Sequence, residues 1–125
     1  MRISYCTWGM MNVDIEEAIP AVARIGYQAI ELAVTPRWQT DLDTLDAAKR
    51  RRIAELLRDH DLVLSAVAGH TSMCEDDPAK HAAAMDRLRR SIDLTAELAQ
   101  SGEQAIMASI VGGREEECDA KKELI

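Results

Sequence analysis

The chain of 125 residues carries a formal net charge of −7, with 47% hydrophobic and 30% charged residues. That is the mixture of a soluble globular domain long enough for one hydrophobic core. No apolar run approaches the ~20 residues a membrane span needs, no signal-like apolar segment follows Arg2, and an acidic balance disfavours general nucleic-acid binding.

Chain order alternates between two periodicities. Ile3–Trp8 reads as a short buried strand. Asp14 then reads as an N-cap, with Glu17 three residues on completing a capping box. Ile15, Ala18, Ile19, Val22 and Ile25 follow at helical spacing, Pro20 interrupts them, and Gly26 stands where a C-terminal glycine belongs. Ala29–Val34 reads as the second strand, with the acid Glu31 inside it, and Pro36–Asp43 as a polar loop containing Arg37 and Trp38.

The spacing predicts a second helix from about Leu45 to His60, with Leu45, Ile53, Leu56 and Leu57 inward and Arg50, Arg51 and Arg52 on a solvated face. Leu62–Gly69 is apolar almost throughout, as a parallel strand covered on both faces should be, and it ends in His70. Pro78 opens a third, longest helix whose expected inner stripe is Met85, Leu88, Ile92, Ala96 and Ala99, closed by Gly102. Ala105–Val111 reads as a fourth strand. Gly112-Gly113 then turns into an acidic first helical turn, Arg114–Glu117.

The order β-α-β-α-β-α-β-α implies right-handed crossovers and a parallel sheet. A doubly wound sheet would normally carry a glycine-rich phosphate fingerprint after its first strand. Trp8-Gly9-Met10-Met11-Asn12 has none. The expected fold is therefore α/β, a single unit over residues 1–125. It is a parallel (βα)4 half of a TIM barrel, ending within its fourth helix.

In such barrels the working residues sit at the C-terminal ends of strands and in the loops after them. Trp8, Arg37, Trp38 and His70 fall on that face, with Glu31 inside the second strand. Flat apolar rings beside His, Arg and Glu suit a polyhydroxylated ligand. Each has a structural alternative: Trp8 as mouth filler, Trp38 as a loop anchor, Glu31 as a paired acid, His70 as a satisfied structural histidine. His60 and His81 read as surface residues, and Gly112-Gly113 as a turn rather than a phosphate cradle. The sequence contains no H-E-x-x-H, G-x-S-x-G or P-loop, and no cluster of His and carboxylates sufficient for a metal. Cys6, Cys74 and Cys118 lie far apart without a C-x-x-C pair, as reduced thiols of a cytoplasmic protein would.

Ile3-Ser4-Tyr5-Cys6-Thr7-Trp8-Gly9, Ile25-Gly26-Tyr27-Gln28-Ala29-Ile30-Glu31-Leu32 and Gly69-His70 resemble the sugar phosphate isomerase/epimerase group of the xylose isomerase-like barrel superfamily. The resemblance implies metal-assisted proton transfer on a small sugar or sugar-phosphate-like carbonyl substrate. It also implies a divalent metal (Mn, Mg, Co or Zn), whose main ligands come from later strands than the four read here. By this resemblance Trp8 matches the aromatic that many members place against the sugar and Glu31 the acid of the second strand, while His70 matches the end of the third strand, where some members have a substrate-contacting or metal-binding histidine. On this basis the chain is expected to supply substrate contacts as the N-terminal part of such an enzyme and to be inactive alone. The alternative is a non-catalytic half-barrel that self-associates through its open sheet edges or pairs with a partner chain. A DNA-repair nuclease of the same superfamily is the weaker third reading, since the chain is acidic and poor in histidine.

Overall fold

The computed structural model describes residues 1–72 and 74–99, and the backbone of 106–108. Strands β1 (Ser4–Cys6), β2 (Ala29–Ala33), β3 (Val63–Ala68) and β4 (Ile106–Ala108) form one sheet in chain order, every neighbouring pair parallel. Helices α1 (Ile15–Ile25), α2 (Ala47–Asp59) and α3 (Pro78–Leu98) connect them. A strand order without reversal is that of successive barrel units; a doubly wound sheet changes direction partway. The rest of the expected fourth strand, Gly112-Gly113 and the acidic turn after it lie outside the described residues.

Local chemistry sets the element ends. Asp14 caps α1 by accepting from the Glu16 N–H at 2.8 Å. Gly26, at φ 105°, ends it in the left-handed conformation while its N–H and that of Tyr27 donate to Ala23 and Val22. The helix runs through Pro20. Asp46 caps α2 through the Lys49 N–H, and Asp77 caps α3 through Ala79 and Lys80. The first strand is shorter than expected: Ile3 is exposed, and Thr7–Met10, including Trp8, forms a 3₁₀ turn.

One core lies between the sheet and the helices. Ile30, Leu32, Val34, Leu64 and Val67 meet Ile15, Ile19 and Val22 of α1, Ile53, Leu56 and Leu57 of α2, and Leu94 and Leu98 of α3. Alternate residues of the same strands, Ser4, Cys6, Glu31, Ala33, Ala66 and Ala68, share the register rows of the opposite, inner face. Between β2 and β3 the register slips, because Ile30 faces Leu64 while Glu31 faces Ala66, leaving Ser65 as an extra residue. The Ser65 hydroxyl donates to the Ile30 carbonyl at 3.1 Å and lies 2.6 Å from the Ser4 hydroxyl. That bulge lets Leu64 and Val67, three apart, both face the helices.

Two expected stripes need correction. Ile25 is 65% exposed at the end of α1. On α3 the buried residues are Ser91, Leu94, Thr95 and Leu98, while Ile92 is 49% exposed and Ala96 is exposed. The helix is rotated because Ser91 meets the end of β3: a Cβ on Gly69 would stand 3.2 Å from the Ser91 hydroxyl. Ser91 and Thr95 donate their hydroxyls to the Arg87 and Ser91 carbonyls at 3.0 and 2.7 Å, so neither carries an unmet polar group into the core. Of the arginine run, Arg52 bonds Glu16 of α1 at 3.1 Å and Arg50 approaches Glu97 of α3 at 2.8 Å.

The rotation is testable by urea unfolding. Leu94→Ala should cost about 2–5 kcal/mol, whereas Ile92→Ala should cost about 0.5 kcal/mol, as surface changes do. The reverse ranking would restore the stripe read from spacing.

Candidate functional site

The site forms at the C-terminal end of the sheet, where β1, β2 and β3 release their chains. The last residue of β2 is held from both sides. The Ala33 N–H donates to the Thr7 hydroxyl at 2.9 Å, and the Thr40 hydroxyl donates to the Ala33 carbonyl at 2.6 Å. Both threonines are buried. They fix the turn carrying Trp8 and the loop carrying Trp38 against the same strand end. Gln39 adds a second tie, accepting from the Ile15 N–H at 2.9 Å and donating to the Val13 carbonyl.

Asp41 and Arg87 complete the loop. Asp41 accepts from the Arg37 N–H at 2.6 Å and pairs with the Arg87 guanidinium at 3.0 Å. Arg87 also donates to the Val34 carbonyl. Burial disfavours the Asp41 charge, but the Arg37 N–H and the Arg87 cation outweigh it, and the carboxyl is held below its ordinary range. Arg37, at φ 70°, occupies the left-handed region that a non-glycine residue rarely adopts.

Three of the five expected site residues come together. Trp8 is central: its ring centroid lies 4.8 Å from that of Trp38 and 4.3 Å from that of His70, the latter edge-on. Trp8 is 48% exposed, so part of the indole remains open to a ligand. His70 lies past the end of β3, not in it, at φ 46°. Its Nε2 is buried and has no hydrogen-bond partner among the described residues, as does the Thr35 hydroxyl just after β2. Buried polar atoms are normally paired, so an unpaired one at a strand end marks a position prepared for another group.

Glu31 and Arg37 stand differently. Glu31 is half-buried in mid-strand, opposite Cys6 and Ala66. Burial pushes the Cys6 thiol up, the Trp8 N–H draws it down, and the Glu31 carboxylate, which also bonds the thiol, raises it further. Glu31 therefore has a partner within the sheet. Arg37 is exposed and contributes its backbone to the loop. Thr7, Gln39, Thr40, Asp41 and Arg87, which position the rings, carry no motif; Arg87 standing one turn before Ser91 on α3 is the only signal that could have exposed it.

A divalent metal needs several convergent donors. Among the described residues no group of three or more His, Cys, Asp or Glu could hold one. The residues present do not fit a metal centre, and His70 Nε2 is a single donor. A cavity of about 220 Å³ between α2 and α3, lined by Leu42, Leu45, Arg50, Arg90 and Leu94, lies off the mouth, and its arginines are paired with Glu97 and Asp43.

Arg87→Met should cost about 3 kcal/mol, because Asp41 is left buried without its cation. Since the Asp41 carboxyl is held low, its stabilisation is complete above the ordinary carboxylate range. It is lost as pH falls through the folded-state value. Asp41→Asn should therefore flatten the acid limb of a stability–pH profile from urea midpoints; an unchanged limb would refute the assignment.

Comparison with known proteins agrees with the fold. The crystal structure of D-psicose 3-epimerase in the presence of D-fructose superposes with a TM-score of 0.63 at 18% identity, covering 78% of this chain and 34% of that one. The chain thus spans about a third of the length of that structure, and the likeness establishes a partial TIM barrel. No curated protein matches the sequence. A family model described as xylose isomerase-like TIM barrel matches residues 19–125. The chain belongs to the xylose isomerase-like TIM barrel family.

Proposed function

We propose that this chain is the substrate-holding N-terminal part of a sugar isomerase/epimerase-like enzyme that moves a proton on a small polyhydroxylated carbonyl compound, free or phosphorylated. The observation that carries the reading is the Trp8–Trp38–His70 cluster with its unpaired His70 Nε2. Indole faces pack on the C–H surface of a sugar while a buried nitrogen takes one of its hydroxyls, a combination that orients the ring without reacting with it.

In this reading Trp8 and Trp38 stack on the substrate, His70 fixes one hydroxyl, and Glu31 faces the barrel interior below them. A divalent metal (Mn, Mg, Co or Zn) would polarise the carbonyl. The described residues offer no metal site, so their work in this reading is binding and orientation. The cytoplasm is the proposed setting, in keeping with cysteines that lie far apart without a C-x-x-C pair; no described helix is long and apolar enough to cross a membrane.

The two tryptophans, Trp8 and Trp38, both lie in the proposed site, so indole fluorescence reads it directly. Titration with D-fructose and other ketohexoses should give a saturable change in emission. His70→Ala should weaken binding about 3–10-fold, the worth of one hydrogen bond, and Trp8→Ala should abolish it. Emission indifferent to every ketose and ketose phosphate tried would end the sugar reading.

A further inference from the structure

Among the described strand pairs the register breaks at one place. From β1 to β2 it is continuous, with Ser4 beside Ala29, Tyr5 beside Ile30 and Cys6 beside Glu31. From β2 to β3 it steps from Ile30 beside Leu64 to Glu31 beside Ala66. Bulges are rare between parallel strands, and beyond one the odd and even residues of the strand exchange faces. Leu62 and Leu64 face the helices before the step and Val67 after it, all buried in the one core. The new phase continues past the strand. A Cβ on Gly69 would stand 3.2 Å from the Ser91 hydroxyl of α3. His70, next in the chain, leaves on the other side, where its ring lies 4.3 Å from that of Trp8. An unbroken alternation from Leu64 would instead turn His70 towards α3.

We propose that Ser65 is a positioning residue of the mouth: the extra place it takes in β3 turns His70 onto Trp8, and its hydroxyl holds that extra place. The hydroxyl donates to the Ile30 carbonyl at 3.1 Å, on the β2 side of the step, and lies 2.6 Å from the Ser4 hydroxyl of β1. One short side chain thus ties three strands together at the level where the register changes. The step also sets Ala66 in place of Ser65 beside Glu31, so the acid has a methyl group for its neighbour on β3. Ser65 touches none of the three rings of the cluster and acts on the mouth only through the phase of the strand. Bulges beside binding sites re-aim side chains in this way. The use made of His70 rests on the sugar reading, but the placement of its ring is read without any ligand, so either can fail without the other.

Three variants of the full chain test this, read by the Overhauser contact between the Trp8 and His70 rings and by amide hydrogen exchange. Ala66→Val/Val67→Ala keeps the composition and puts the valine in phase with Leu62 and Leu64, which favours an unbroken strand. The ring contact should fall at least fivefold while the far-ultraviolet circular dichroism stays native. Deletion of Ser65 is the converse: it removes the extra residue and leaves Val67, Gly69 and His70 on their present faces, so the contact should persist. Ser65→Ala keeps the extra place without its bonds, and exchange of the amides flanking the step, Glu31 and Ala66, should quicken about 3–10-fold, the worth of one hydrogen bond. A full contact in the folded valine-exchange variant would overturn the proposal, as would its loss in a folded deletion variant. Unchanged exchange in Ser65→Ala would do the same, and that variant, which removes a single oxygen, decides the matter if the other two do not fold.

Discussion

Arg87 is the residue on which the arrangement of the mouth depends. Its guanidinium, with a side chain only 16% exposed, has been taken largely out of water and must be met by acceptors. It finds two: the Val34 carbonyl, at the end of β2, and the Asp41 carboxylate, in the loop that follows. Arg87 lies one turn before Ser91, which meets Gly69 at the end of β3 while Ile92 stays in solvent. The same bonds of Arg87 hold the loop in a shape that forces Arg37 into the left-handed region.

The aromatic cluster is the consequence. Trp38 follows Arg37 in the restrained loop, and Trp8 sits in the 3₁₀ turn that Thr7 fastens to the same strand end. His70 approaches from the third strand in a strained conformation of its own. Two left-handed non-glycine residues, Arg37 and His70, and three unpaired buried polar atoms, His70 Nε2, the Thr35 hydroxyl and Arg87 Nε, therefore gather at one end of the sheet. Strain and unmet polarity of this kind persist when surrounding bonds over-determine them. Here those bonds are supplied by Thr7, Thr40, Asp41 and Arg87.

Much of the architecture was legible because periodicity reports burial directly. The apolar run at Leu62–Ala68 and the spacing of Ile15, Ile19 and Val22 could satisfy only a strand and a helix sharing a core. The chain order of the elements then left a parallel sheet of successive units. The rule that barrel chemistry gathers at strand C-termini picked out Trp8, Trp38 and His70 together. Other features were hidden for physical reasons. An α3 stripe counted from apolar residues alone passes over Ser91 and Thr95, whose hydroxyls are satisfied within the helix and so can be buried. Asp41 and Arg87 are 46 residues apart and look like solvent charges until the fold pairs them. The bulge at Ser65 leaves no trace in hydropathy, and sequence position does not show that Glu31 stands beside the Cys6 thiol or that the Arg37 N–H bonds Asp41 within the loop.

The central claim is that the Asp41–Arg87 link holds Trp38 on Trp8 while His70 meets Trp8 independently of it. Proton–proton Overhauser contacts between the two indoles, and between Trp8 and the His70 imidazole, measure this directly. Both contacts should be present in the wild-type chain, and Asp41→Ala should remove the first while sparing the second. Absence of either contact in the wild type, or survival of the indole pair without Asp41, would contradict the account.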